Sequence, residues 1–400
     1  MRNTFLDRKD TKNSIQKKMI LRLCINNGEH SISSLSEQLN ASVPTVTKLI
    51  GELMGEGFMI DLGKQGTSGG RRPSLYGLNP GAGYFIGVDF RHTHASIAVT
   101  DFKGGLVSFE DNIDFTLEST EECLHRVSSM IRAYIGKCDL DWNRVLGLGI
   151  SVAGRVNPET GYSNLYSFDP ARPINRILEE DLEIPAVIEN DSRSMSYGEY
   201  LSGAANGERD VLFVNVSWGL GMGLILNGQL YYGASGFSGE FGHFPLLDND
   251  KICRCGKVGC LETGASGYAL TRNITEELKS GRASSLSAKY RKEGKVNFND
   301  IFKAIREEDV LAIEQVEVVG ENLGRGLAGL INVFNPELVI IGGKLAVAGD
   351  YLLLPIKSAV KRYAQNIAIQ DTKIKFSRLR NEAAPIGASL LSRSRILRVL

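Results

Sequence analysis

The sequence predicts an α/β protein: a winged helix-turn-helix head followed by a larger body of two α/β lobes. Three observations predict this. Over residues 1 to about 80, apolar side chains recur at helical spacing between cap and turn residues. From Tyr84 onward the pattern becomes alternating and β-branched. Within the body, one βββαβα unit occurs twice, which implies two α/β lobes around a cleft. A single mixed sheet with an insertion is the other arrangement this order allows. At 400 residues the chain has room for two or three domains. The divisions fall at 1–80 for the head, 81–190 for the first lobe and 191–383 for the second. A C-terminal helix over 384–400 can complete the first lobe.

In the head, Ile15, Met19, Ile20, Leu23 and Cys24 mark one face of a first helix that Asn27-Gly28 stops. Ser33 can cap a short second helix running to Leu39, and Asn40-Ala41 makes the turn. Ser42 caps a third helix, with Pro44 tolerated in its first turn. Val46, Leu49, Ile50 and Leu53 form its apolar stripe. Ser42, Thr45, Thr47 and Lys48 lie elsewhere on its N-terminal half, as in a recognition helix that meets base edges in the major groove. Two short strands, around 58–60 and 75–78, make a wing. Arg71 and Arg72 on its Gly-rich loop can reach a narrow minor groove or phosphates. A helical domain for protein contacts is the plainer reading of the same pattern.

In the body, residues 84–90, 94–102 and 105–113 read as an antiparallel meander. A helix over about 118–138, strands 145–152 and 186–190, and a helix from Ser192 come next. The second unit repeats this with strands around 210–217, 222–228 and 229–233. Asn227-Gly228 supplies a type I′ turn. A helix over 309–334, a strand over 337–343, a helix over 350–366 and a closing strand near 373–379 complete it.

The charge is balanced, with 46 basic and 46 acidic side chains, so no global field announces a nucleic-acid partner. Residues 1–75 nevertheless hold eleven Lys/Arg against seven acids, a basic bias on the head. No apolar stretch is long enough for a membrane span, and the polar N-terminus does not read as a signal peptide. The expected location is the cytoplasm, with no membrane partner. Cys24, Cys123 and Cys138 are scattered and read as inert core thiols.

The other three cysteines are clustered. His243, Cys253, Cys255 and Cys260 stand as H-x9-C-x-C-x4-C, with Gly256 and Gly259 bending the chain between them. Three thiolates and one imidazole suit tetrahedral Zn²⁺. All four positions come from protein, so the expected zinc is structural, without an open site for activating water.

A polar constellation accompanies the cluster. Glu189-Asn190-Asp191 stands where a strand ends and a helix begins. Asp191 suits a general base for a hydroxyl, and Asn190 a hydrogen-bond partner. Glu240 lies three residues before His243, and Glu262 two after Cys260. Carboxylates and an amide together suit a polyol. Each of them alone is as well explained as a cap or a salt-bridge partner.

The run GFSGEFGHFPLLDNDKICRCGKVGCLE closely resembles the signature of the ROK family (repressors, open reading frames and sugar kinases), GEhGH followed by CxCGxxGCxE. IENDSRSMSYGE resembles its END motif and NPELVIIGGKLA its PEhhhhGG motif. SVAGRVNPETG resembles its PGxhD segment, with Ala153 in place of the usual proline. The likeness spans about residues 84–395, and the head resembles that of the family's regulators. It implies an actin-like, hexokinase-type two-lobed fold with structural zinc. It also implies sugar contacts from Asn190, Asp191, Glu240, His243 and Glu262, with Gly154 and Ser163 as weaker members of the set. The family counterpart of His243 binds zinc with one ring nitrogen and faces the sugar with the other side of the ring.

Two departures bear on activity. Family kinases open with DhGGT, whose glycines let the backbone wrap ATP phosphates; here Asp89-Phe90-Arg91-His92-Thr93 stands in its place. The second phosphate loop, GTGhG in kinases, is Ser217-Trp218-Gly219-Leu220-Gly221. The resemblance therefore implies a non-enzymatic, sugar-responsive repressor of carbohydrate-use genes. Its expected partners are double-stranded operator DNA and a sugar or sugar-phosphate effector, and its expected state is a homodimer or homotetramer. The competing reading is an ATP-dependent sugar kinase with a regulatory head. Asp191 and Gly342-Gly343 support it, while Arg91, His92 and Trp218 oppose it.

Overall fold

In a computed structural model, residues 11–64, 73–166, 168–169 and 171–398 are described. They form two compact units: the chain up to Ser194 together with Ala384 onward, and Met195–Ala383. Among the described residues no helix is long and apolar enough to cross a membrane.

The first unit opens with helices α1 (Lys12–Asn27), α2 (Ile32–Gln38) and α3 (Val43–Gly55). The Ser42 hydroxyl accepts the Thr45 N–H and caps α3, whose Val46, Leu49, Ile50 and Leu53 are buried. Two expectations are corrected here. The cap of α2 is Ser31, which accepts the Ser34 N–H, rather than Ser33. On α1 the buried face carries Ser14, Lys17, Lys18, Ile20, Leu21 and Cys24. Ile15 and Met19 are instead 45% and 44% exposed. The physical reason is an ion-pair network. Lys17 Nζ lies 2.9 Å from Glu52 and 2.7 Å from Glu56 on and just beyond α3, which satisfies a buried ammonium.

The wing is a three-stranded sheet rather than a hairpin. β1 (His30–Ser31) adds antiparallel to β3 (Ser74–Leu78), which also pairs with β2 (Met59–Lys64). The head's core is continuous with the rest of this unit: Ile20, Leu49, Leu53, Phe58 and Met59 share one cluster with Phe85, Phe102 and Leu397.

The body of this unit is a five-stranded sheet of β4 (Tyr84–Phe90), β5 (His94–Asp101), β6 (Leu106–Asp114), β7 (Val145–Val152) and β10 (Ala186–Asn190), in the order β10-β7-β4-β5-β6. A two-residue pair, β8 (Val156–Asn157) and β9 (Tyr162–Ser163), lies between β7 and β10 in the chain. β4, β7 and β10 run parallel. One face is covered by α4 (Glu121–Lys137) and α5 (Ile174–Leu182). Against the other lies α13 (Ala383–Ile396). There a Cβ on Gly87 or Gly149 would fall 1.8 or 1.9 Å from a carbonyl oxygen of Pro385 or Ala388. Glycine at both positions is what lets helix backbone rest on sheet backbone.

α6 (Asp191–Ser202) begins directly after β10. The second unit has its own five-stranded sheet, β13-β12-β11-β14-β15, built from β11 (Val211–Val216), β12 (Leu220–Leu226), β13 (Gln229–Leu230), β14 (Leu338–Gly342) and β15 (Lys373–Phe376). Asn227 and Gly228, at φ of 53° and 77°, turn β12 into β13. The helices are α7 (Gly267–Lys279), α8 (Ser287–Glu293), α9 (Phe298–Arg306), α10 (Val310–Phe334), α11 (Asp350–Tyr363) and α12 (Asn366–Asp371). Residues of α7, α9, α10 and α11 form one core with β11, β12 and β14. The sequence patterning expected one helix over 350–366; the chain leaves helix at Ala364 and resumes as α12.

Candidate functional site

In the first unit the three parallel strands end together, and their register sets Asp89 and Glu189 on either side of Ser151. Ser151 Oγ donates to Asp89 at 2.7 Å. Arg91 Nε approaches the other Asp89 oxygen at 3.2 Å, and Arg91 also reaches Asp111 at 3.3 Å. Asp111 in turn accepts from Ser96 at 2.6 Å. Arg91 therefore pairs with both Asp89 and Asp111.

Asp191 is the first residue of α6 and is partly exposed. Its Oδ1 accepts from Ser192 N–H at 2.7 Å and from Asn190 Nδ2 at 2.9 Å. Burial, and then the neighbouring Asp89 carboxylate, push Asp191 up to about 6. Asn190 Nδ2 also donates to the Gly154 carbonyl at 2.8 Å. Gly154 has φ of 87°, and a Cβ there would meet Asn164 and Leu165 within 3 Å. The first unit thus brings Asn190, Asp191 and Gly154 together by direct bonds. Ser163 is buried, and its hydroxyl accepts the Tyr166 N–H at 3.3 Å.

Glu189 itself is structural. It pairs with Arg193 at 2.6 Å and with Arg395 of α13 at 3.6 Å, deeply buried. The sequence reading missed Tyr166, whose phenol is raised by burial and by the charges of Asp89 and Asp191. No sequence motif signals it.

In the second unit His243, Cys253, Cys255 and Cys260 each offer one ligand atom, all within 4.8 Å of one another. The loop is closed by the Pro245↔Cys260 and Ile252↔Val258 bridges. Gly256 and Gly259 take φ of 84° and 80°, which a side chain would oppose. His243 Nδ1 faces Cys253 Sγ at 3.6 Å, and its Nε2 faces Glu240 at 3.5 Å. One nitrogen thus points into the cluster while a carboxylate orients the ring from behind. Burial and the neighbouring thiols push Cys260 up to about 12. A divalent cation reverses such a shift, because it binds thiolate. The donor set fits a metal ion.

Glu262 faces the same cluster, with Oε1 3.9 Å from Cys253 Sγ, while its Oε2 accepts the Leu220 N–H at 2.9 Å. It therefore ties the metal loop to the turn between β11 and β12. That turn carries Trp218. The indole packs on Tyr268 and Phe298, each with centroids 5.7 Å away, and Arg254 lies over it at 5.8 Å. The Ser217 and Trp218 carbonyls accept the first N–H groups of α7, at Gly267 and Tyr268. The carbonyls of Ser217 and Trp218 are thus used within the protein, and Glu262 takes the Leu220 N–H. Arg254 and Tyr268 carry no sequence signal that singles them out.

On α3, Ser42, Thr45, Thr47 and Lys48 are all exposed. Ser42 and Thr45 hydroxyls bond each other at 2.8 Å, and Thr47 Oγ1 donates back to the Val43 carbonyl at 2.8 Å. Lys48 is 75% exposed and 3.9 Å from Glu52. Arg71 and Arg72 lie outside the described residues.

Comparison with known proteins places these features in a family. The ROK family pattern matches residues 85–395. A xylose repressor of Caldicellulosiruptor bescii is 29% identical over 383 residues, spanning 93% of this chain and 94% of that one. The crystal structure of a ROK family transcriptional regulator, a homologue of the E. coli MLC protein, has a TM-score of 0.82 at 25% identity and covers 98% of both chains. A ROK family glucokinase from Streptomyces griseus, solved with glucose and AMPPNP, has a TM-score of 0.65 at 26% identity; it covers 78% of this chain and 100% of its own. The first structure matches head and body together, the second the actin-like α/β body alone. The chain belongs to the ROK family.

Proposed function

We propose that this protein is a sugar-responsive, DNA-binding transcriptional repressor that releases its operator when a sugar or sugar derivative binds. The observation that carries this reading is the likeness over 98% of both chains to a transcriptional regulator, head included. A kinase relative covers the body but not the head. In this reading Ser42, Thr45, Thr47 and Lys48 meet the major groove, and Arg71 and Arg72 meet the minor groove or phosphates. A dimer or tetramer presents two heads to paired half-sites.

In this reading Asn190 and Asp191 contact sugar hydroxyls, as do Glu240, His243 and Glu262, with Gly154 and Ser163 as weaker members of the set. Asn190 is already oriented by Gly154, and Asp191 by Ser192, so these groups meet a ligand with little reordering. His243, Cys253, Cys255 and Cys260 hold a structural Zn²⁺, which fixes the loop bearing Glu240 and Glu262. When bound, the metal supplies rigidity, since all four of its positions are filled by protein. The sugar's effect on operator affinity equals its preference for the released state, and no more.

The reading assigns no catalysis. Arg91 occupies the first phosphate loop and Trp218 the second, and Asp191 holds a hydroxyl rather than activating it. The second reading, a sugar kinase with a regulatory head, is favoured by Asp191 and by Gly342-Gly343. Both are tested by titrating purified protein on fluorescent operator DNA with D-xylose, N-acetylglucosamine and other sugars, alongside an ADP-release assay. Sugar-dependent release without ADP formation supports the repressor. ADP formation that disappears in Asp191→Asn establishes the kinase.

A further inference from the structure

The second unit contains a cavity of about 380 Å³, bounded by the metal loop, α7 and α10. Its size is within the range of small-ligand sites. None of the residues assigned above to sugar, metal or DNA lines it. We infer that this cavity binds a small oxyanion, a phosphate or phosphate ester, as a second effector site.

The lining carries the chemistry. Arg272, Arg325 and Lys251 bring three cationic groups against one lining acid, Asp248. Glu276, just outside the lining, lies 3.8 Å from Lys251 and 3.7 Å from Arg272 and offsets part of their charge. Arg325 has no carboxylate within 4 Å among the described residues; its guanidinium rests over the Tyr363 ring at 5.5 Å. Stacking of this kind holds the planar fork without using its donors. Arg272 is mostly buried and is fixed by the Thr263 carbonyl at 2.7 Å and Asn273 Oδ1 at 2.9 Å. Asn273 and Asn322 complete the polar lining, Asn273 Oδ1 accepting from Arg272 and Asn322 Nδ2 donating to the Gly264 carbonyl. The stacked Arg325 fork, beside a second guanidinium and the Lys251 ammonium, favours an oxyanion over a cation or an apolar ligand.

The cavity also touches the parts that read the sugar in the proposed function. Its floor is Thr263-Gly264, immediately after Glu262, held by Arg272 and by Asn322 Nδ2 on the Gly264 carbonyl at 3.1 Å. One wall, from Leu246 to Lys251, is the stretch between the metal-ligand positions His243 and Cys253. An anion bridging α7 and α10 therefore stiffens the turn that carries Glu262. Binding itself does not depend on the sugar reading; the effect on sugar affinity does.

The test is a thermal-shift and calorimetric titration of the full chain with inorganic phosphate and with ribose 5-phosphate, against chloride at matched ionic strength. Both probes are expected to raise the melting temperature in a saturable way. Arg325→Gln and Lys251→Gln are each expected to weaken binding about tenfold, the loss of one charge-assisted contact, with metal content unchanged. Ester binding much tighter than phosphate assigns the site to a phosphorylated metabolite, and equal binding assigns it to free phosphate. No phosphate-specific saturable shift, or one unaltered in the double variant, overturns the inference. Because ribose 5-phosphate is itself a sugar derivative, its titration is repeated in Asp191→Asn, where a shift that persists belongs to this cavity. Inorganic phosphate and the absence of DNA keep the result separate from the fate of the repressor reading.

Discussion

Phe58, shortly after the end of α3, lies 5.3 Å from Phe102 between ring centroids, at the hairpin joining β5 to β6. Phe102 in turn lies 6.2 Å from Phe85 on β4. All three rings are essentially fully buried. The head is therefore not a bead on a flexible tether; it shares a hydrophobic core with the sheet behind it. Phe102→Ala is expected to cost about 3–5 kcal/mol, read by urea unfolding. Wild-type probes in the head and on β4 should unfold in one transition. A head that melts separately at lower urea contradicts the shared core.

Lys48 is the most direct test of the DNA face. Among the described residues its exposed ammonium has one carboxylate partner, Glu52 at 3.9 Å. Lys48→Ala is expected to weaken operator binding and to lower the salt slope of log K by about one. An unchanged slope means that Lys48 does not meet a phosphate.

The pH dependence of sugar binding rests on Asp191. Its carboxyl is raised from 3.8 to about 6 by burial and by Asp89. If its ionised oxygens accept sugar hydroxyls, affinity falls as pH drops through about 6. The folding sign is opposite. The folded chain holds this proton more tightly, so the group favours folding progressively as pH falls through 6, fully below 3.8, and its ionised form costs stability at neutral pH. Asp191→Asn should therefore raise the melting temperature at pH 7.5 while abolishing sugar binding. A variant less stable than wild type at that pH contradicts the assigned shift.

The metal makes a stoichiometric prediction. Native protein should contain one zinc per chain, and Cys253→Ser or Cys260→Ser should lose most of it. Chelation should lower the melting temperature of wild type but not of these variants. Zinc below half an equivalent in native protein contradicts the metal assignment.

How much of this was legible in the sequence differs by element. The His/Cys cluster was legible, because its four residues lie within one loop and their spacing is the geometry. Asp191 was legible at the β10–α6 junction, but its coupling to Asp89 was not, since strand register brings together residues about a hundred positions apart. α1 was misread for a similar reason. A lysine on a helical face reads as solvated until Glu52 and Glu56 of a later segment pair with Lys17. The Ser31 cap was missed because Ser31 and Ser33 are chemically equivalent, and only the strand pairing of His30–Ser31 decides between them. The shelf of Trp218, Tyr268 and Arg254 joins three separate segments, so no local pattern could mark it.

The central claim is that one chain binds operator DNA and gives it up to a sugar. It is tested most directly by fluorescence anisotropy on operator DNA as sugars are added, with wild type and Asp191→Asn compared at equal operator occupancy. The expected result is a saturable loss of operator affinity with at least one sugar in wild type, and no loss in Asp191→Asn. Operator affinity that stays constant while that same sugar measurably binds would contradict the claim.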